Sequence, residues 1–366
     1  MSARLNRRGA ILPLTILMLA IMGVAVAITY ARLSSERRTT SDAQAQMNAF
    51  AVAQSGLSRF MSNLPVNVKP GWLDPMDVVY NDLPGGTAQV SLRMIRDTTM
   101  AVNQLPAVYA IVSRGTNTSA RRFGPSTPPA ERTVATYGLW TPTPFEVNGA
   151  ITSLNGLNKN GNGGSLSGFD RCNSMPAVPG VAVPDVPGPG YPGDPTPIQG
   201  SSPGVPVSLG TGGIAGSARD EVDIDWAGII AGTYLPPDYV SPAWPASFTD
   251  WPVVRVNNSG GPSFTLPGTG KGILIVTGDL LINGAVGWEG LILVGGKLTS
   301  NGNNQVFGAV VAGLNIKLGI DPGISDIANG TKNFQYDSCA LKRALSQVGS
   351  IQPVRNGWVD TWPSYQ

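Results

Sequence analysis

The sequence predicts a mainly β protein carried on one long N-terminal α-helix. The helix packs on an antiparallel sheet, and a Gly/Pro-rich, β-helix-like domain with coils of 18 residues follows. Three observations predict this. An apolar run opens the chain and continues in phase into an amphipathic stretch. Period-two alternation follows between residues 85 and 140, and three segments near the C-terminus repeat at a spacing of 18 residues.

Composition narrows the class before any element is placed. Gly 46 and Pro 31 are high for 366 residues, charged residues reach only 13 %, and hydrophobic residues make up 42 %. Disordered chains combine high charge with little apolar content, so this balance points to a turn-rich β protein. The formal charge of +2, with no Lys/Arg run beyond the N-terminus, argues against a nucleic-acid partner. Histidine is absent, which removes imidazole metal ligands and every Ser-His or Cys-His nucleophile system. Cys172 and Cys339 are too few for a thiolate zinc cluster. In an exported chain they read as one disulfide, with two buried thiols as the alternative.

The first element begins with Arg4, Arg7 and Arg8, followed by apolar residues from Ala10 to Ala31 relieved only by Thr15, Thr29 and Tyr30. This is close to the roughly 20 residues needed to cross a bilayer core, and Arg32 marks the return to water. Three readings compete. Ala25-Val26-Ala27 has the small-x-small form of a signal-peptidase site. A plain signal anchor keeps the whole run. A leader of residues 1–9, cut after Gly9, leaves the helix on the mature chain. Arg32, Arg37 and Arg38 balance the first three arginines, so basic residues set no orientation. Met47, Phe50, Leu57, Phe60 or Met61, and Leu64 then recur at helical steps, with no proline between Pro13 and Pro65. We expect one continuous helix over 10–64, transmembrane over 10–31. It is retained, because a discarded signal has no reason to continue in phase.

The stretch from Arg7 to Phe60, with AFAVAQSGL at Ala49–Leu57, resembles the N-terminal region of PilX-type type IV pilus assembly proteins and related minor pilins. The resemblance implies a prepilin leader cleaved by prepilin peptidase between Gly9 and Ala10, and methylation of the new Ala10 amine. It also implies a single-pass inner-membrane protein with an exported periplasmic domain, reaching the cell surface when assembled with other pilins or minor pilins. One position departs from the family. Major pilins carry glutamate at the fifth mature position, where this chain has Leu14. The charge pairing is lost and membrane insertion is eased. Tip pseudopilins also lack that glutamate, so the resemblance implies a minor, tip or assembly role.

In the region 65–145, Ala88, Val90, Leu92 and Met94 alternate with Gln89, Ser91 and Arg93, and Ala107–Gly115 and Glu131–Leu139 follow at hairpin-compatible spacing. The expected product is a pilin-like antiparallel sheet packed on the helix stripe of Met47, Phe50, Leu57 and Phe60. A sheet unrelated to pilins fits the same pattern.

The remainder, 146–366, is the β-helix-like domain. Over 175–206 a proline occurs every few residues, which predicts an extended excursion outside the core. Asp225–Ala231 reads as a short helix capped by Asp225. Gly272–Gly284, Gly290–Gly302 and Gly308–Gly319 form the repeat. It aligns Ile273, Leu291 and Ala309, then Ile275, Leu293 and Val311, then Leu280, Leu298 and Ile316. Coils of this kind bury their inward side chains only by stacking. An earlier coil is expected at Val253–Gly270, and Asn148–Gly168 is expected to add another, tied to its distant partners through Cys172 and Cys339. A β-meander with coincidental spacing is the alternative. SGFDRC (Ser167–Cys172) and YDSCALKRAL (Tyr336–Leu345) resemble the C-terminal region of PilX-like proteins.

Candidate sites are few. Glu221, Asp223 and Asp225 alternate, which suits a calcium cluster or, more simply, a solvated edge; Asp321 and Asp326 invite the same two readings. Trp244, Trp251, Trp288, Trp358 and Trp362 either stack on sugar rings or pack the ends of coils. Lys297, Lys317 and Arg255 are candidates for a basic stripe, but no lyase constellation accompanies them. Asn117-Thr118-Ser119 matches a glycosylation sequon. We expect no enzyme, metal or cofactor. The expected function is a minor pilin-like subunit acting in assembly, at the tip or in adhesion. The alternative is a membrane-anchored adhesin, outside any filament, that binds polysaccharide or a host or abiotic surface.

Overall fold

The computed structural model describes residues 11–64, 75–96, 106–118, 128–160, 163–185, 191–194, 197–328, 330–346 and 348–360. Its first element, α1 (Ile11–Ser62), is a single unbroken helix. Pro13 lies in its first turn, where a missing N–H removes no helical bond.

Four strands follow: β1 (Met76–Leu83), β2 (Gly86–Arg96), β3 (Val108–Asn117) and β4 (Glu131–Pro142), each antiparallel to the next. The alternation in β2 sets its two faces, with Ala88, Val90 and Leu92 buried while Gln89 and Arg93 are exposed. The buried face joins Tyr109, Ile111, Val134 and Trp140 to Leu57 and Phe60 of α1 in one core.

Beyond β4 the pairing becomes parallel. The strands are β5 (Ile151–Ser153), β6 (Leu157–Lys159), β7 (Ser165–Ser167), β8 (Val181–Val183), β9 (Ile198–Gln199) and β10 (Val207–Ser208). Two short helices, α2 (Ala218–Glu221) and α3 (Trp226–Ala231), lead to β11 (Tyr239–Val240), β12 (Val253–Val256) and β13 (Phe264–Thr265). Then come β14 (Gly270–Val276), β15 (Leu280–Asn283), β16 (Gly287–Val294), β17 (Leu298–Asn301) and β18 (Gln305–Ala312). A 3₁₀ turn at Leu314–Leu318, β19 (Ser325–Ile327), β20 (Asn333–Tyr336) and α4 (Ser338–Leu345) complete this part. One sheet runs β10–β8–β5–β18–β16–β14–β12–β11, with β20, β7 and β9 branching from β18; the other runs β13–β15–β17–β19–β6. Successive strands from β14 to β18 alternate between the two sheets. A β-meander pairs antiparallel, so it does not describe this region.

The register couples Ile273 to Leu291 and Leu291 to Ala309, Ile275 to Leu293 and Leu293 to Val311, and Leu280 to Leu298. These are the residues the repeat lined up. Ile316 is a correction. It sits in the 3₁₀ turn, which begins after Gly313 in the left-handed region, and the strand that stacks on β17 is β19. The glycines that open each repeat, Gly272, Gly290 and Gly308, all have positive φ and stack on one another. A Cβ at Gly290 would collide with the carbonyl of Gly272, and one at Gly308 with that of Gly290, so the bend they make needs glycine at every level.

The first parallel sheet is covered on both faces, so its strands read as continuous apolar runs. Ile273, Ile275, Leu291 and Leu293 pack with Trp226 and Ile229 of α3 and Leu341 of α4. Leu274, Val276, Ile292 and Val294 pack with Leu280, Ile282 and Leu298 of the second sheet. In the stretch Val253–Gly270, expected to hold an earlier coil, β12 and β13 pair in parallel with β14 and β15 at uneven spacing: Val253 pairs with Ile273 and Phe264 with Leu280. Strands β5, β6 and β7 pair with β18, β19 and β20 respectively, from far away in sequence.

Two boundaries differ from the expectation. Within 175–206, Val181, Ala182 and Val183 are fully buried, and β8 pairs with β5. Pro179 and Pro184 flank β8, so this part of the segment contributes core rather than an excursion. The last strand, β21 (Gly349–Asp360), returns to the antiparallel sheet and pairs with β4 from Gly349↔Pro142 to Asp360↔Val134. The parallel unit is therefore an insertion between two neighbouring strands of the first sheet, and residues 349–360 do not belong to it.

Candidate functional site

Gly9 and Ala10, the expected processing junction, lie outside the described residues. The visible part of the same element is α1. From Leu12 to Leu33 its apolar side chains are exposed, with Leu14 at 59 %. Among the described residues α1 is the one helix long and apolar enough to cross a membrane, a property shared by membrane anchors and signal sequences. Its polar side chains turn inward on the backbone: Thr15 Oγ1 donates to Leu12 O (2.9 Å) and Thr29 Oγ1 to Ala25 O (2.8 Å). Such bonds leave little unsatisfied polarity for a hydrocarbon surrounding to penalise.

The C-terminal half of α1 is seated on the sheet, and its seat differs from the expected stripe. Leu57 and Phe60 are buried, but Met47 is 73 % exposed. The contact is made by small residues. Ala45, Ala49 and Ala53 are buried, and Gly56 and Gly115 sit where a Cβ would overlap Ala88 and the backbone of Ala49 and Ala53 respectively. Ser113 Oγ donates to the carbonyl of Ala53 at 2.7 Å in this buried seam. Phe50 meets Trp358 of β21 edge-on, centroids 5.8 Å apart, so Trp358 belongs to the helix–sheet unit rather than to the parallel stack. AFAVAQSGL carried the signal for this close packing in its small residues, which an apolar-stripe reading overlooks.

Cys172 and Cys339 are joined as a disulfide, with Cα atoms 6.1 Å apart. It links the loop after β7 to the start of α4. Asp170 organises that corner. It is 6 % exposed and accepts bonds from the backbone N–H groups of Ser174 (2.8 Å), Met175 (2.9 Å) and Ser338 (2.9 Å), and from Ser338 Oγ (2.8 Å). Burial alone would raise its pKa, but these donors together outweigh burial and hold it below the usual carboxylate range.

The remaining candidates are dispersed. Glu221, Asp223 and Asp225 are exposed and alternate with buried Val222, Ile224 and Trp226. Asp225 caps α3 through Gly228 N–H, and Lys317 lies within electrostatic reach of Asp223 and Asp225. Asp321 accepts from Asn155 Nδ2 at 2.7 Å and from Gly323 N–H, while Asp326 lies on β19. Arg255 donates to the carbonyls of Ile229 and Ile230 at the end of α3. Lys317 is in the 3₁₀ turn and Lys297 lies just before β17. Trp288 and Trp251 are buried, and Trp244 packs with Phe248, Phe264 and Trp288. Trp251 and Trp288 pack in the cores of the parallel unit and Trp244 packs against the second of them; Trp362 lies outside the described residues. Asn117 is buried at 4 %, which sets it apart from an exposed glycosylation acceptor.

Sequence reasoning missed two lysines. Lys159 and Lys332 are 1 % and 0 % exposed, with ammonium groups donating to corner carbonyls: Lys159 to Asn160 and Gly163, Lys332 to Ala328. Burial lowers the pKa of each. Nothing in a strand pattern flags a lysine at the end of a short strand as buried.

No family model matches the chain, and neither the curated proteins nor the solved structures compared with it give a match.

Proposed function

We propose that this chain is a minor, pilin-like subunit of a type IV pilus or a related secretion filament. It is held in the inner membrane by α1 until assembly and acts in initiation, at the tip or in adhesion. The observation that carries this reading is α1 itself: one continuous helix, bare and apolar over its first half, with its second half seated on an antiparallel sheet. A discarded signal would need no such continuity. On this reading prepilin peptidase cuts between Gly9 and Ala10, and Leu14 replaces the usual glutamate, which suits a subunit outside the bulk of a fibre. The two parallel sheets are the faces of a β-helix, presented outside the cytoplasm. Intact-mass analysis of the mature protein tests the proposal. A methylated N-terminus at Ala10 supports it; an N-terminus at Met1 or Ile28 overturns it.

The attachment of the parallel unit by two adjacent strands favours a second, compatible role as a carried adhesive module for polysaccharide or a host or abiotic surface. If excision of that unit leaves filaments intact but abolishes attachment, adhesion is its task. If filaments vanish, assembly is.

A further inference from the structure

Arg32, Arg37 and Arg38 are exposed on an uninterrupted helix, directly after the apolar segment ends at Ala31. Helical geometry places Arg37 and Arg38 about 140° and 240° round the axis from Arg32. The three guanidinium groups therefore encircle α1 instead of lining one face. Arg37 and Arg38 stand about 8–9 Å beyond Arg32 along the axis. The apolar segment itself spans about 31 Å, matching a hydrocarbon core of roughly 30 Å, and each headgroup layer adds about 5–8 Å. With the segment in the core, all three side chains fall within reach of the headgroup layer. Glu36 is the one acid among these positions, and among the described residues none of the three arginines is held in an ion pair.

From this placement we infer that Arg32, Arg37 and Arg38 form a collar that binds the phosphates of anionic phospholipids on the exported side of the membrane. The inference rests on the anchor reading given above. Two arguments select lipid over a protein partner. A guanidinium pairs bidentately with phosphate, and a bilayer surrounds a helix on every side, whereas a protein partner covers one sector. The collar fixes the depth of the helix and resists its withdrawal. It acts on the leaflet opposite the one that the leader arginines Arg4, Arg7 and Arg8 would face before cleavage after Gly9.

The test uses the full chain in phosphatidylcholine vesicles containing phosphatidylglycerol. Association of spin-labelled phosphatidylglycerol, relative to spin-labelled phosphatidylcholine, is read by electron paramagnetic resonance. The wild-type chain is expected to prefer the anionic lipid. R32Q, R37Q and R38Q should each reduce that preference by up to about fivefold, as should added salt in proportion. The R4Q/R7Q/R8Q variant should retain the exported-side share. Equal selectivity in wild type and the R32Q/R37Q/R38Q variant overturns the collar. Cross-linked dimers lost on the same substitutions also overturn it, because the arginines then face carboxylates of a second chain. A chain that stays in the aqueous phase overturns the anchor reading and the collar together.

Discussion

The backbone N–H of Thr143 donates to the carbonyl of Val348 at 3.0 Å. About 200 residues separate them in sequence, and the whole parallel unit hangs between them. Just inside this neck Trp140 Nε1 donates to Ser346 O, and β4 and β21 pair in the sheet beneath. The inserted unit thus has adjacent entry and exit points, the geometry that domain insertions tolerate best.

Replacing residues 144–347 by a short turn should therefore leave a folded helix–sheet unit, lacking the Trp140–Ser346 bond at about 1 kcal/mol and the apolar cover over Val348, which packs in the core of the inserted unit. Circular dichroism and cooperative thermal unfolding in detergent are the measurements. A protease-labile, non-cooperative product would show that the sheet needs the inserted unit. Truncation after Val147 is a different experiment, since it also removes β21.

Gly115→Ala should destabilise the helix–sheet unit by about 1–3 kcal/mol, the usual range for overpacking, because the new methyl meets backbone of Ala49 and Ala53 rather than a flexible side-chain tip. Gly23→Ala is the control: its Cβ meets nothing, and alanine improves a helix interior by up to about 1 kcal/mol. Equal unfolding midpoints for the two variants would refute the tight seam.

Asp170 makes a signed pH prediction. Its folded pKa lies below the unfolded value of about 3.9. Its contribution is present above that value and lost as pH falls through the folded pKa. Asp170→Asn should remove that acid-side dependence and lower stability at neutral pH, since the amide's nitrogen cannot accept the donors now served by the carboxylate. Urea midpoints of both proteins across the acid range check this.

Lys159 and Lys332 act in the opposite direction. Their folded pKa values lie below the unfolded value of about 10.4, so the unfolded chain binds more protons between the two values. Stability should rise with pH in that window. It should fall again above about pH 10, because burial raises the phenol pKa values of Tyr191 and Tyr336 in the folded state. A Lys159→Met/Lys332→Met variant should flatten the rise; an unchanged profile would mean the lysines are not the source.

Reduction of Cys172–Cys339 should lower stability by up to about 4–5 kcal/mol in the chain-entropy model, since the bond spans 167 residues. The Cys172→Ser/Cys339→Ser variant should match the reduced protein in guanidinium unfolding. Midpoints equal to the oxidised protein would mean that stacking and the Asp170 corner already restrict the unfolded chain.

Local periodicity made much of this legible. The unbroken run through α1, the alternation in β2 and the 18-residue spacing from Gly272 each report which side chains share a face. The alanines and glycines of the helix seat were visible too, but their meaning depends on Gly115 arriving opposite Ala49. Proline density hid the burial of Val181–Val183, because prolines between short strands look the same in sequence as prolines in a solvated loop.

The sequence by itself determined the long helix, the two faces of β2 and the apolar repeat from Gly272, all properties of neighbours along the chain. Tertiary structure alone decided the partners: β21 beside β4, β5 on β18, Trp358 against Phe50, and the burial of Lys159 and Lys332. Those choices are made between segments far apart in sequence, by whichever arrangement covers the most apolar surface while leaving each backbone group a partner. No local window contains that comparison.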